Sequence, residues 1–357
     1  MLNSDLLRRA QERLDSLTKP RGSLGELEEI AKRLFAIYAD LNREISSKGI
    51  FVLAGDHGIT EEGVSAYPQE VTRQMILNFV EGGAAISVLA RSLDAKLFVA
   101  DFGVIGPNFS NSIGRELYSR PGREHSSLPT VLDCKIAEGT RNFLREDAMT
   151  KGEALEAIQS GRDLLESLHA ENKFDLIALG EMGIGNSTSA AAMTAAFAGV
   201  SVEKITGRGT GLKDDALKNK ISIIEKSLAA RKPDSKNPVE VLSKFGGYEI
   251  AGLTGIYLAA SDLKIPCVID GLISGAAALV AARIQPQSRN YFFASHLSEE
   301  PGHKVILDEL KLHPILHGRL RLGEASGAAL ALPIIQNAWK LFREMATFES
   351  AGVSGKN

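Results

Sequence analysis

The sequence predicts an α/β fold: a mostly parallel sheet covered by helices on both faces. Three observations carry this. Six short apolar runs each end in polar or glycine residues. Helical stretches separate most of them, and alternating strands and helices imply a parallel sheet buried on both sides. Finally, 44% hydrophobic and 24% charged residues over 357 positions match a globular chain with a full core, one large domain or two ordinary ones.

The elements follow in order. An amphipathic helix is predicted over 5–17. "KPRGSLG" breaks it, and Ser23 with Glu26 has capping-box spacing before the helical "LEEIAKRLFAIYADL". "GIFVLAGDHGI" is a strand running into a polar loop. "VTRQMILNFVEGGAAISVLARSL" reads as helix, glycine break, helix, with Met75, Ile76 and Phe79 on one side. "AKLFVADFGV", "PTVLDCKIA", "FDLIALGEMGIG", "IPCVIDGLISG" and "NYFFASH" repeat the strand-then-polar form, and "GEALEAIQSGRDLLESLHAE" and "STSAAAMTAAFAG" are helical. The end segments, 1–45 and 301–357, read as wholly helical. They are expected to pack together as a small lobe beside a large domain, 46–300, that carries the site. The tail "SAGVSGKN" is expected to fray.

Bulk properties exclude several classes. A net charge of −3 gives no electrostatic reason to expect nucleic acid. The two cysteines, Cys134 and Cys267, lie too far apart for a CxxC site and read as small hydrophobes. The N-terminus lacks the apolar core and cleavage site of a signal peptide, and no apolar run reaches about 18 residues. A cytoplasmic protein is expected.

In parallel sheets, ligands bind beyond the carboxyl ends of the strands. Asp56, His57, Glu181, Asp270 and Ser295 are predicted to cluster there. "LGEMGIGNSTSAAAM" is the most informative stretch: Gly183 and Gly185 permit a tight turn, and Asn186, Ser187 and Thr188 open a helix whose free N–H groups suit a phosphate. An ordinary capped strand–turn–helix is the alternative. "TGRGTGL", with Gly207 and Gly209, could add a second phosphate contact ahead of a helix containing Lys220, or be a simple turn. Asp270 with Gly271, and Ser295 with His296, could bind a sugar hydroxyl or cap the next helix. Asp56 and His57 fit no zinc spacing and read as a hydrogen-bonded network; no metal or cofactor is expected. In "RLRLGEASGAALALP", Glu324 is either an acid in a helix's first turn or a catalytic base whose proton affinity is raised where water is scarce.

Taken together, "KPRGSLGELE", "GDHGITEEGVSAYPQEVT", "GEMGIGNSTSAAAM", "GGYEIAGLTG", "IDGLISGAAAL", "SH" and "RLGEASGAALALP" resemble the nicotinate-nucleotide–dimethylbenzimidazole phosphoribosyltransferase family, block by block and in its order, from Lys19 to Phe342. The resemblance implies a Rossmann-like sheet, a helical lobe from both chain ends, and a homodimer. It implies transfer of ribose 5-phosphate from nicotinate mononucleotide to 5,6-dimethylbenzimidazole, in the synthesis of cobalamin's lower-ligand nucleotide. Carried over, Glu324 is the general base and Glu181 a second acid. The glycine loops and Lys220 lie near the phosphate. Tyr67, Gln74, Met75 and Leu322 border the base. A different acceptor base (adenine, benzimidazole or a phenol) and a non-catalytic nucleotide sensor remain as alternatives.

Overall fold

Strand β1 (Lys48–Gly55) is third in one seven-stranded sheet, flanked by β2 (Lys96–Gly103) and the central β4 (Leu176–Met182). The remaining strands are β3 (Val131–Asp133), β5 (Cys267–Ile269), β6 (Phe292–His296) and β7 (Pro314–Leu316), and the order is β3-β2-β1-β4-β5-β6-β7, parallel throughout. The computed structural model describes residues 2–109, 130–209 and 211–354. All six strands expected from sequence are present. The order runs outward in both directions from the β1–β4 pair, which makes that pair the switch point where ligands are bound in such sheets.

Side chains alternate across each strand, so the sheet builds two cores. Phe51, Leu53, Phe102, Ile177, Leu179 and Ile269 face the helices Lys151–Asn172, Asn186–Ala198, Tyr248–Leu263 and Leu272–Ile284. Ile50, Val52, Ala54, Val99, Ala178 and Val268 face Glu26–Tyr38, Glu70–Val80, Ala85–Ser92 and Ser326–Glu344. The chain ends meet on this second face. Arg13 donates to the carbonyls of Phe342 and Arg343, each at 2.7 Å, and Tyr38 packs edge-on against Trp339 at 5.3 Å.

Two expectations are corrected. The segment 301–357 is not wholly helical, because β7 lies within it. Three residues beginning with proline leave little apolar signal, and an edge position tolerates that proline. The Ser23–Glu26 capping box does not form. Gly25 takes φ +56° and heads the helix without a side-chain cap, and Glu28 instead accepts the Leu24 N–H at 3.0 Å and the Lys19 ammonium at 2.8 Å. Among the described residues, no helix is long and apolar enough to cross a membrane.

Candidate active site

The carboxyl ends of β1, β4, β5 and β6 bring Asp56, His57, Glu181, Asp270 and Ser295 to one edge of the sheet, all buried. Glu324 joins them from a loop. It is not in the first turn of a helix: the helix starts at Ser326, and Gly323, Glu324 and Ala325 precede it with φ of +83°, +62° and +62°. Two successive non-glycine residues in the left-handed region are strained, on the order of 1–3 kcal/mol each, a cost that concentrates at functional sites.

Close packing holds the strained loop. A β-carbon on Gly180 of β4 would fall 2.0 Å from the Ala325 nitrogen, so the strand backbone lies directly on the loop. Asp270 pins it from the other side, its Oδ1 accepting the Ala328 N–H at 2.9 Å with the Gly327 and Ala325 N–H groups also facing it. Ser295 in turn donates to the Asp270 carbonyl at 3.1 Å. Asp270 and Ser295 thus have internal partners: Asp270 caps not the next helix but the one behind Glu324, whose orphan donors point at the strand end. Gly180→Ala is expected to displace Glu324 and lower kcat about 10²-fold while the fold persists, read by steady-state kinetics beside circular dichroism.

The electrostatics favour protonated acids. Burial, then the Asp270 charge, pushes the Glu324 carboxyl up to about 7. Burial followed by Glu249, Asp270 and Glu324 holds the Glu181 carboxyl well above its ordinary value, against the opposing hydrogen bond from Asn186. Glu181 also lies against Gly323, whose added β-carbon would fall 2.9 Å from Oε1. The two acids predicted from sequence therefore border one loop.

The two glycine loops converge as well. Gly185, at φ +97°, heads the helix Asn186–Ala198 with no side-chain cap. Lys220, fully buried on the helix Asp214–Arg231, donates to Ser187 Oγ at 2.9 Å and to the Gly207 carbonyl at 3.4 Å. Gly209 lies over both, since a β-carbon there would fall 2.8 Å from Ser187 Oγ and 3.5 Å from Lys220 Nζ. Burial lowers the Lys220 ammonium to about 8, with Glu300 opposing the shift. An uncapped helix head, a hydroxyl and a buried ammonium together suit a phosphate. Thr188 is fully buried beside them, and Gly271 heads the helix after β5.

The predicted base wall is the open side. Tyr67 is 54% and Leu322 57% exposed, Gln74 is exposed and Met75 is half-buried. The helix Glu70–Val80 docks on the first glycine loop through Thr72 Oγ1, which accepts the Ile184 N–H at 3.0 Å.

Asp56 and His57 form the expected network. Asp56 accepts the Ile105 N–H at 2.9 Å, while His57 Nε2 lies 2.7 Å from Glu249 Oε1 and Nδ1 lies 2.9 Å from Ser189 Oγ. With Nε2–H donating to the carboxylate, Nδ1 accepts the Ser189 proton, which ties the helix Asn186–Ala198 to the end of β1. Sequence reasoning did not single out Glu249, Ser189 or Glu300. The signal for Glu249 was a lone acid after two glycines in the otherwise apolar "GGYEIAGL". Among the described residues, no three His, Cys, Asp or Glu side chains converge to hold a metal ion.

A family model described as phosphoribosyltransferase matches residues 1–353. The chain belongs to this phosphoribosyltransferase family. It is 50% identical to the nicotinate-nucleotide–dimethylbenzimidazole phosphoribosyltransferase of Desulforamulus reducens, over 97% of this chain and 93% of that one. It is 46% identical to the enzyme of the same name from Geobacter sulfurreducens, over 99% and 95%. The crystal structure of CobT from Thermus thermophilus superposes with a TM-score of 0.89 at 41% identity, covering 99% of this chain and 100% of that one. As a phosphoribosyltransferase of this family, the chain has the Rossmann-like parallel architecture of an enzyme acting on small molecules.

Proposed function

We propose that this phosphoribosyltransferase moves the ribose 5-phosphate of nicotinate mononucleotide onto 5,6-dimethylbenzimidazole, giving α-ribazole 5′-phosphate and nicotinate for the lower-ligand nucleotide of cobalamin. The observation that carries this reading is full-length identity of 46–50% to enzymes of that name, on a chain whose two acids and two glycine loops meet at the switch point of the sheet.

The donor already bears a pyridinium on its anomeric carbon, and nicotinate leaves as a neutral ring, so the reaction asks no general acid of the protein. The acceptor's imidazole N–H is a weak nucleophile. Glu324 takes that proton as the other ring nitrogen attacks the sugar. Attack opposite the leaving group turns a β-linked nucleotide into an α-linked one. Lys220, Ser187 and the head of the helix Asn186–Ala198 hold the 5′-phosphate. Glu181, whose carboxyl burial holds well above its ordinary value, stands beside Gly323 on the sugar side of the loop. Tyr67, Gln74, Met75 and Leu322 line the acceptor side, and their exposure supports a homodimer that covers it, checked by sedimentation.

Incubation of the protein with the two substrates, read by mass spectrometry, tests the reading. Equal yields of α-ribazole 5′-phosphate and nicotinate support it. Absence of product from a folded protein that binds the nucleotide would replace the acceptor, with adenine, benzimidazole and phenol next in the panel.

The pH profile follows from two groups. The base must be deprotonated, so kcat/KM rises through about 7, where burial places Glu324. The phosphate ligand must be protonated, so kcat/KM falls above about 8, where burial places Lys220. A narrow bell between those values is expected, because kcat/KM reports groups of the free enzyme.

A further inference from the structure

Glu300 immediately precedes the helix Pro301–Leu310 but does not cap it with its side chain. The carboxylate reaches across to the second glycine loop instead. Its Oε1 accepts the Gly209 N–H at 2.8 Å, and a β-carbon on Gly207 would fall 2.0 Å from Oε2, so the loop backbone rests on the carboxylate. Oε2 has no hydrogen-bond partner, although Glu300 is only 8% exposed. Buried charges of this kind persist when a counter-charge faces them. Here that charge is Lys220, which also bonds the Gly207 carbonyl and Ser187. Arg208, the loop's own cation, is already engaged by Asp214. The glycine loop and the buried ammonium, which themselves meet Ser187 at the uncapped helix head, therefore border an internal anion with one oxygen unused.

We propose that Glu300 is the resident counter-anion of the phosphate subsite: it holds the Gly207–Gly209 loop on Lys220 before nucleotide arrives, and its charge then opposes the entering 5′-phosphate. This rests on Lys220 and the glycine loops being the phosphate subsite. The chemistry gives the arrangement a use. Donor and product carry the same phosphate, so tighter phosphate binding would lower KM without raising kcat and would retain the product. A resident negative charge limits that grip while keeping the loop ordered.

Glu300→Gln tests this, because the amide oxygen can still accept the Gly209 N–H while the charge is gone. The KM for nicotinate mononucleotide is expected to fall about three- to tenfold, as removal of one partly buried like charge would give. The change should fall on KM more than on kcat, and the KM for nicotinate riboside, which lacks the phosphate, should stay constant. Glu300→Asp retains the charge and should not lower the nucleotide KM. An unchanged or raised nucleotide KM in Glu300→Gln overturns the proposal and leaves Glu300 as a loop anchor only. If Glu300→Gln does not fold, the wild-type KM for nicotinate mononucleotide is compared with that of Glu300→Asp and Glu300→Asn, and only the neutral Glu300→Asn should show the fall. Calorimetric titration of inorganic phosphate into the wild type and Lys220→Met separates the underlying reading. Equal binding to both would remove the phosphate subsite itself, whatever Glu300→Gln does.

Discussion

Glu324→Gln is expected to reduce kcat by about two to four powers of ten, the range a positioned general base contributes. The amide has nearly the same shape, so the loop 323–325, held by Gly180 and Asp270, should keep its place. Nucleotide affinity should stay within a few-fold, and the melting temperature should hold or rise, because a buried acid crowded by Asp270 is replaced by a neutral group. The acidic limb of the pH profile near 7 should disappear from whatever activity remains. Stopped-assay kinetics with calorimetric nucleotide titration would separate the two effects. Turnover within threefold of wild type would remove Glu324 from the mechanism. Loss of nucleotide binding would recast it as a donor-side residue.

Lys220→Met is expected to raise the KM for nicotinate mononucleotide by about ten- to a hundredfold, since hydrogen bonds to charged groups are worth roughly 1.5–3 kcal/mol. Methionine retains the apolar stem that fills the interior, so the fold should survive. It leaves Glu300 facing no cation, and a moderate drop in melting temperature should accompany the change. Because the phosphate is distant from the bond being broken, kcat at saturation should fall far less than kcat/KM. A kcat loss equal to that of kcat/KM would mean that Lys220 contributes to the transition state.

The strands were legible because buried parallel strands are written as apolar runs that stop abruptly, and four of the six such stops place the site's polar residues. β7 was not, since a three-residue edge strand beginning with Pro314 carries no such run. Asn186, Ser187 and Lys220 could be named from glycine-loop chemistry together with the family blocks. The joining of Ser187 and Gly207 through one lysine depends on how the helix Asp214–Arg231 crosses the head of another, which spacing does not encode. The same limit applies to Asp270, whose partner lies 58 residues away at Ala328. Glu324 could be chosen as a base, but not its backbone: two left-handed non-glycine residues in a row run against local preference, and only tertiary packing holds them there. Glu249 and Glu300 escaped because an acid at a helix start reads as a dipole partner until its burial is known.

The halves of the site differ in what they can tolerate. Lys220, Asn186, Thr188 and Glu181 are packed inside the molecule, where most substitutions disturb the core, whereas Tyr67, Gln74 and Leu322 stand at the surface. Exposed positions generally accept change within about 0.5 kcal/mol of stability. Under the proposed function, descent with modification can therefore explore new acceptors on this scaffold by drift at a few surface positions, while the buried donor side stays under purifying constraint. A lineage that changes its acceptor need not first stabilise the subunit fold, and libraries randomised at those three positions should yield mostly folded subunits, with dimer formation the property that varies.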